Sequence, residues 1–265
     1  MNKNNFLWFL YNHRRFPKSH NGTIVDMLYK ARKSRTLIKK ERVQITSKYH
    51  VKTYVEKMGL GRLNVATIGY FTDYKDMPYM FEKNVIIKPS HLSGKVWYKN
   101  ANEVLTEKEK SEIKKAIKSN YYLKSGELNY LFCEKGIIVE PVLFEDKDIE
   151  DFKVFCYKGV PKIIQVDIDR HSIHTRKFFT REWIEIDIEF GYPKSKKTIK
   201  CPQMLDEILD AAKVLSSKFE FIRIDFYTKG TEVYVGEITN VHGNNCERFK
   251  CLDDELKFTK ILIGD

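Results

Sequence analysis

Residues 219–240, FEFIRIDFYTKGTEVYVGEITN, contain the pattern that decides the fold. Apolar and polar side chains alternate over 219–227 and again over 232–239, with Lys229-Gly230 in the break between the two runs. Alternation with a period of two predicts β-strands, and a short break containing glycine predicts that the strands pair as a hairpin.

The acidic residues of this hairpin are placed where their charges need compensation. Asp225 and Glu237 each lie six positions from Thr231, so pairing brings them together at the end away from the turn. Two carboxylates about 4 Å apart repel by roughly 4 kcal/mol at an effective dielectric of about 20. Either a divalent cation or a surface ladder of ion pairs through Arg223 and Lys229 offsets that repulsion, and these residues alone leave both interpretations open.

Length and composition indicate an ordinary folded protein with one large domain or two small ones. The chain has 265 residues, of which 42% are hydrophobic and 13% aromatic. The apolar run at 6–11 is too short for a signal peptide, and none approaches the ~20 residues of a membrane helix, so we expect a cytoplasmic protein. The five cysteines are irregularly spaced, as is typical of reduced thiols. The run His242-x3-Cys246-x4-Cys251 is spaced poorly for zinc.

The positive charge is concentrated at one end of the chain. Residues 1–57 hold 14 Lys and Arg and 3 Asp and Glu, whereas the remaining residues hold 33 of each sign. This excess predicts either an anionic partner (nucleic acid, an anionic membrane face, or an acidic glycan) or a merely solvated basic helix face. The aromatic and basic N-terminus also allows peripheral contact with the inner face of a membrane.

Helices and strands alternate along the chain in the α+β manner, with antiparallel pairs prominent. Helices are predicted at 23–40, 47–58, 106–120 and from Pro202, and strands at 64–71, 84–88, 136–144, 152–157 and 161–168. Residues 170–176 are predicted as a connection, and residues 241–265 as a loop and a C-terminal tail.

Three further residues carry weaker signals of nucleotide chemistry. Lys88 ends a predicted strand before the small-residue loop 89–95, where a lysine can reach a phosphate lined by loop amides. Glu140 stands in an otherwise apolar strand and suits either the amino edge of a purine or an ion pair with a lysine. Lys48 is a candidate for a second phosphate contact. Neither a GxSxG turn nor a Walker lysine loop is present, so no Ser or Cys nucleophile is predicted.

Taken in order, these motifs resemble the ATP-grasp superfamily and, within it, the TupA-like branch (teichuronopeptide biosynthesis). The resemblance rests on SKYHVKTYV at 47–55, KPSHLSG at 88–94, FKVFCYKGVPKIIQVDIDRHSIHTRKFF at 152–179, RIDFY at 223–227 and VGEIT at 235–239. It implies an α+β fold in which two α+β subdomains with antiparallel sheets grip ATP between them.

The resemblance also implies a division into four segments. Residues 1–45 would form a basic helical segment that serves as an acceptor or membrane-proximal surface. Residues 46–135 would form the first subdomain with the phosphate-binding loop, 136–250 the second subdomain with the Mg²⁺ site, and 251–265 a tail.

The resemblance gives roles to individual residues. It implies that ATP is bound by Lys48, Lys88, Ser93, Gly94, Glu140, Pro141, Val142 and Lys153. It implies that Mg²⁺ is held by Asp225, Glu237 and Thr239, and that Arg223, Lys88 and Arg176 are catalytic. Asp169, Arg170 and His174 match the branch's Asp-Arg…His-x-Arg run and are expected to contact substrate.

Three positions depart from the branch's pattern. Leu92 stands in the loop where glycine is usual, and Ser47 stands where an acid usually precedes the lysine. Thr239 stands where most ATP-grasp ligases have a metal-binding asparagine, with Asn240 as a substitute ligand. Because Thr239 replaces the asparagine, the sequence leaves open whether a second magnesium ion binds.

The resemblance implies an ATP-dependent carboxylate–amine ligase that acts in surface-polysaccharide (capsule and cell-envelope) biosynthesis and attaches an amino acid or amine to a glycan carboxylate. Its partners would be ATP, Mg²⁺ and the glycan or amino-acid substrate, with no nucleic acid. Three alternatives remain: a kinase of a glycan hydroxyl on the same fold, a non-enzymatic basic adaptor for anionic glycan or nucleic acid, and a glycosyltransferase. No sugar-nucleotide site is evident for the last of these.

Overall fold

Two antiparallel sheets carry the architecture, and helices cover both faces of the larger one. The computed structural model describes residues 5–20, 22–144, 150–169 and 172–264. The α-helices of this part of the chain are α1 (Asn5–His13), α2 (Ile24–Lys33), α3 (Lys40–Thr46), α4 (His50–Lys57), α5 (Glu107–Lys118), α6 (Tyr122–Ser125), α7 (Leu205–Ser216) and α8 (Leu252–Ile263). The strands are β1 (Gly69–Phe71), β2 (Val85–Pro89), β3 (Trp97–Lys99), β4 (Ile137–Pro141), β5 (Glu150–Tyr157), β6 (Val160–Ile168), β7 (Thr175–Thr180), β8 (Glu185–Ile186), β9 (Phe221–Lys229) and β10 (Glu232–Thr239).

The smaller sheet has the strand order β1-β4-β2-β3, with every neighbouring pair antiparallel. Its central strands are apolar because both are buried against α5, whose Ile113 is fully buried beside Val85 and Ile87. A capping box begins α5 as predicted, with the Thr106 hydroxyl accepting from the Glu109 amide. Because β4 belongs to this sheet, the sheet extends through Pro141, beyond the boundary predicted between residues 135 and 136.

The larger sheet has the order β10-β9-β5-β6-β7-β8 and contains the predicted hairpin as β9 and β10. Near the turn Glu232 pairs with Lys229, and this register alone would set Glu237 opposite Ile224. A β-bulge between Val235 and Glu237 shifts the register by one residue and sets Glu237 opposite Asp225. A Cβ at Gly236 would lie 2.5 Å from Cε2 of Tyr227, so a side chain at the bulge would force the Tyr227 ring to move.

Each face of the larger sheet has its own apolar core. Helix α7 packs on one face, where Ala212 and Leu215 are fully buried against Val154 and Ile222. Helices α1, α2 and α8 pack on the other face, around Phe155. The same second face carries the polar side chains of the candidate site, since residues two apart on a strand point the same way.

Several predicted boundaries shift. The helix predicted over 23–40 ends at Lys33, and a 3₁₀ turn at Arg35–Ile38 follows it. The strand predicted at 64–71 is formed only at Gly69–Phe71, and the connection predicted at 170–176 gives way to β7 from Thr175. None of the helices described is both long enough and apolar enough to cross a membrane.

The prediction of a C-terminal tail over 251–265 is wrong, because residues 252–263 form helix α8. Phe258 and Leu262, one helical turn apart, are fully buried in the core of the larger sheet. The Phe258 ring lies 5.3 Å from the Phe155 ring and meets it edge to face. The C-terminal segment is therefore part of the folded core.

We expect Phe258→Ala to lower the free energy of unfolding by about 3–5 kcal/mol, because it removes a buried ring and leaves a cavity. Urea unfolding followed by circular dichroism measures this change. The matched control is Leu256→Ala on the same helix, where the side chain is 47% exposed and the expected change stays within about 0.5 kcal/mol. Equal, small effects of both substitutions would show that α8 is not docked in solution.

Candidate active site

A row of polar side chains crosses the larger sheet from β10 to β6. Register pairing sets Glu237 opposite Asp225, Asp225 opposite Lys153, and Lys153 opposite Gln165. Asp225, Lys153 and Gln165 are at most 6% exposed, although their residue types prefer water. Four neighbouring strands therefore bring polar groups to one line on a sheet face that is elsewhere apolar.

Arg223 is held on three sides at the β10 end of this row. Its Nε and Nη2 donate to the two carboxylate oxygens of Asp225, each at 2.7 Å, in a bidentate pair. Nη2 also donates to the Thr239 hydroxyl at 3.2 Å, and that hydroxyl donates to Glu237 Oε1 at 2.9 Å. Arg223, Asp225, Glu237 and Thr239, which the sequence analysis grouped from alternation and pairing, thus form one contiguous set.

The two acids of the set have opposite pKa directions. Burial raises the pKa of Asp225 to about 6, against the opposing pull of Arg223 and Lys153. Burial also raises the pKa of Glu237, but Lys48 and Arg223 outweigh it and bring that pKa down to about 2. Asp225 is therefore the member of the pair that takes up a proton more readily.

Lys153 lies at the centre of the row among three carboxylates. Its ammonium forms a short ion pair with Asp151 and lies 3.3 Å from Asp167 and 4.0 Å from Asp225. The cation is 5% exposed, so it serves these acids in a region of low dielectric.

Arg176 extends the network beyond Asp167, toward β7. Its Nε donates to Asp167 Oδ1 at 2.6 Å, and its Nη1 donates to Glu247 Oε2 at 2.6 Å. Arg176, predicted as catalytic, is 3% exposed and therefore serves the buried carboxylates in this structure.

His242 closes the network into a ring, and sequence reasoning missed it. Its Nδ1 lies 2.5 Å from Arg223 Nη1, and its Nε2 lies 3.0 Å from Glu247 Oε2. Because a guanidinium only donates, Nδ1 must accept, and the proton of the neutral ring must sit on Nε2. Burial lowers the pKa of His242 to about 4, which agrees with a neutral ring. In the sequence, His242 stands out only as the first residue of the run His242-x3-Cys246-x4-Cys251, which resembles a zinc site.

Gly191 leaves the space that Glu247 and Arg176 of this network occupy. A Cβ at Gly191, whose φ is +77°, would lie 2.5 Å from Glu247 Oε2 and 2.8 Å from Arg176 Nη1. Any other residue at this position would press on both the acid and the guanidinium and would also strain the backbone.

Lys48 connects the small-residue loop to the metal-site candidates. Its amide donates to the Ser90 carbonyl at 3.0 Å, and its ammonium donates to the Leu92 carbonyl at 2.7 Å. The same ammonium lies 3.8 Å from Glu237 Oε2. The loop after β2 and the acids of the larger sheet therefore meet at one lysine.

Glu140 is held between two lysines in the smaller sheet. Lys52 lies 2.6 Å from its Oε1, and Lys88 lies 2.9 Å from its Oε2. Burial raises the pKa of Glu140, but the two lysines outweigh it and lower the pKa overall. This is the ion-pair interpretation that the sequence left open, and Lys52 is a partner that sequence reasoning did not identify.

The remaining predicted residues lie around these groups. Ser93 and Gly94 are exposed in the loop after β2, with Gly94 at φ +77°. Pro141 ends β4, and the Val142 amide donates to the Asn84 carbonyl at 3.1 Å. Lys153 lies between Asp225 and Gln165 in the polar row.

The predicted substrate residues are only partly gathered. His174 lies 3.3 Å from Asp167, and its ring lies 3.7 Å from the Tyr192 ring. Asp169 instead pairs with Lys197 at 2.7 Å. Arg170 lies outside the described residues.

The donor set fits magnesium bound together with a nucleotide. Asp225, Glu237 and Thr239 offer hard oxygen donors, which Mg²⁺ prefers. Among the residues described, no three His, Cys, Asp or Glu side chains gather into a metal cage. Mg²⁺ is characteristically bound by one or two carboxylates while substrate phosphates and water complete its octahedron, so two acids suffice.

Two antiparallel sheets, joined where Lys48 contacts both the loop after β2 and Glu237 of the larger sheet, define a protein of the ATP-grasp fold. The family model described as TupA-like ATPgrasp matches residues 27–258. The chain therefore belongs to the TupA-like ATP-grasp family. No curated protein gives a significant match.

Solved structures of ATP-grasp ligases are similar to this chain at low identity. D-alanine–D-alanine ligase from Bacillus anthracis is 14% identical, with 82% of this chain and 61% of that one covered and a TM-score of 0.45; it has also been solved with ATP. The ATP-grasp ligase PsnB with its minimal precursor is 11% identical, with 77% and 54% covered and a TM-score of 0.40. L-amino acid ligase from Bacillus licheniformis is 13% identical, with 76% and 42% covered and a TM-score of 0.41. The chain thus spans less than two thirds of the length of each.

Proposed function

We propose that this protein is an ATP-dependent carboxylate–amine ligase that forms an amide through an acyl phosphate. The observation that carries the proposal is the set of buried Arg223 and Asp225 with half-buried Glu237, joined through Lys48 to the loop after β2. Membership of the ATP-grasp family supports nucleotide binding at this place.

In this proposal Lys48 and Lys88 bind the phosphates of ATP. Lys88 lies in β2, directly before the loop that contains Ser93 and Gly94, and Lys48 donates to the Leu92 carbonyl of that loop. Lys88 can exchange its carboxylate partner for a phosphate, because Lys52 still lies 2.6 Å from Glu140 when Lys88 leaves. Lys153 adds a buried positive charge beside Asp225. In this proposal Glu140, with the backbone of Pro141 and Val142, would contact the adenine once Lys88 has moved to the phosphates.

Asp225, Glu237 and Thr239 would hold magnesium, which when bound supplies positive charge to the phosphate oxygens. Arg223 is already fixed by Asp225, Thr239 and His242, so its orientation requires no rearrangement during the reaction. A guanidinium held in this way stabilises the charge that develops on the transferred phosphoryl group.

The proposed reaction needs no nucleophile from the protein. An oxygen of the substrate carboxylate bonds to the γ-phosphorus of ATP, and the bond to the leaving ADP oxygen breaks. The amine nitrogen then bonds to the acyl carbon, inorganic phosphate leaves, and the nitrogen loses a proton. The products are ADP, phosphate and an amide, so positioning and charge neutralisation do most of the work.

We propose a glycan carboxylate as the substrate that is activated, in surface-polysaccharide assembly at the cytoplasmic side of the membrane, with an amino acid or amine as the acceptor. The concentration of positive charge in residues 1–57 suits an acidic glycan, since it raises the local concentration of anions. His174, beside Asp167 and Tyr192, is the candidate for contact with the acceptor.

Hydroxylamine trapping tests this proposal without knowledge of the amine. The full chain is incubated with Mg-ATP, a panel of uronic acids and hydroxylamine, which converts an acyl phosphate to a stable hydroxamate. We expect ADP and hydroxamate in equal amounts with at least one acid. A stable phosphate ester detected by ³¹P NMR would identify a kinase instead, and nucleotide binding without any product across acids and hydroxyl acceptors would contradict both activities.

A further inference from the structure

The outward face of α1 carries exposed apolar side chains. The opposite face is packed: Phe9 is 1% exposed, and its ring lies 4.9 Å from the Tyr29 ring of α2. Leu7 and Tyr11, one helical turn apart, are 60% and 69% exposed, and Phe16 just beyond the helix is 71% exposed. Of the seven large apolar side chains at least 60% exposed in the described residues, three thus lie within ten positions of each other.

We call Phe6, Leu7, Trp8, Tyr11 and Phe16 the patch of α1, in which two ring contacts join members in pairs. The Phe16 ring lies 5.9 Å from the Phe6 ring, and the Tyr11 ring lies 6.0 Å from the Trp8 ring. Arg248 borders the patch, with its guanidinium 5.5 Å from the Tyr11 ring and its Nη2 donating to the Tyr11 carbonyl at 2.6 Å. Scattered exposed apolar residues are ordinary, but a contiguous group of aromatic and aliphatic side chains beside a cation is typical of an interaction site.

The charge of the segment that carries the patch is of one sign. Residues 5–40 contain nine Lys and Arg and a single acid, Asp26. Asp26 is fully buried and paired with Arg15 at 2.8 Å, so it adds no exposed negative charge. Seven of the basic side chains, by contrast, are exposed: Arg14, Lys18, Lys30, Lys33, Arg35, Lys39 and Lys40.

We propose that α1 and Phe16 bind the surface of an anionic lipid bilayer, with Leu7, Tyr11 and Phe16 entering the headgroup region and the basic side chains contacting anionic lipids. Apolar and aromatic side chains on one helix face beside lysine and arginine are the composition of interfacial membrane helices. Each basic residue near an anionic leaflet adds to the attraction. A nucleic acid would use the charge but not Leu7 and Phe16, and protein interfaces are depleted in lysine.

Vesicle sedimentation tests the proposal on the full chain. We expect the protein to pellet with phosphatidylcholine vesicles that contain about 30% phosphatidylglycerol, and to remain in the supernatant with phosphatidylcholine alone. With the anionic vesicles, Leu7→Asn combined with Phe16→Asn should weaken the partition roughly ten-fold or more, and Lys33→Glu combined with Arg35→Glu should weaken it as well. The matched control is Ile173→Asn with Ile184→Asn, at side chains 82% and 64% exposed outside the segment, which leaves binding unchanged.

A second variant reports insertion directly. Tryptophan emission of Phe16→Trp should shift to the blue with anionic vesicles, relative to the wild-type chain under the same conditions. The proposal is overturned if no anionic vesicle binds or if the Leu7 and Phe16 variant binds like wild type. Preference for a DNA duplex over vesicles, or a solution dimer that Phe16→Asn dissociates, would also overturn it.

Discussion

Asp225→Asn should abolish Mg-ATP-dependent ADP formation, with a loss of roughly 10³-fold or more, the scale on which a preorganised charge acts in a buried site. The substitution keeps the shape of the side chain and one oxygen that can accept from Arg223, but it removes the negative charge beside Glu237. A coupled assay of ADP release, run across a magnesium titration, measures the effect.

Glu237→Gln should produce a loss of the same size, because it removes the other carboxylate of the pair. The matched control is Glu232→Gln at the turn end of the same hairpin, where the acid is exposed and pairs in register with Lys229. We expect the control to retain wild-type turnover. Turnover that is full in Asp225→Asn and Glu237→Gln, with magnesium dependence unchanged, would show that the two acids hold no metal and that the proposed chemistry is wrong.

The convergence of Asp225 and Glu237 was predictable because strand alternation and distance from a turn are both local properties. The prediction assumed a hairpin symmetric about Thr231, whereas the register near the turn is offset by one residue and the bulge at Gly236 corrects it. The sequence contains the glycine, but only the close approach of the Tyr227 ring shows why it is required. Pairing was therefore predictable, and the mechanism that sets the register was not.

Contacts between segments far apart in the chain could not be predicted from the sequence. Lys52 meets Glu140 across 88 positions, and His242 meets Arg223 only because the chain turns back after β10. A helical lysine and a lone histidine carry no local signal of such partners. Helix α8, in contrast, could have been predicted from local signals. Acids in its first turn and the spacing of Phe258 and Leu262 are both present in the sequence.

His242 should make the stability of the folded chain depend on pH. Its folded-state pKa is lowered to about 4 by burial, from an ordinary value of 6.5. A group with a lowered folded pKa adds stability above its unfolded pKa, and that stability is lost as pH falls toward the folded value, because only the unfolded chain takes up the proton in between. We therefore expect His242 alone to remove about 2 kcal/mol of stability between about pH 7 and about pH 5.

His242→Asn isolates this contribution. The asparagine oxygen can replace Nδ1 as the acceptor for Arg223, while Glu247 keeps its 2.6 Å contact with Arg176. The variant should be less stable than wild type at about pH 7, and the gap should close by about 2 kcal/mol at about pH 5, as measured by urea unfolding at both values. His91 is also buried, with its pKa lowered to about 4, but it contributes equally to both proteins and cancels. A gap that stays constant with pH would mean that the His242 ring is protonated in the folded state, and then its Nδ1 could not accept from Arg223.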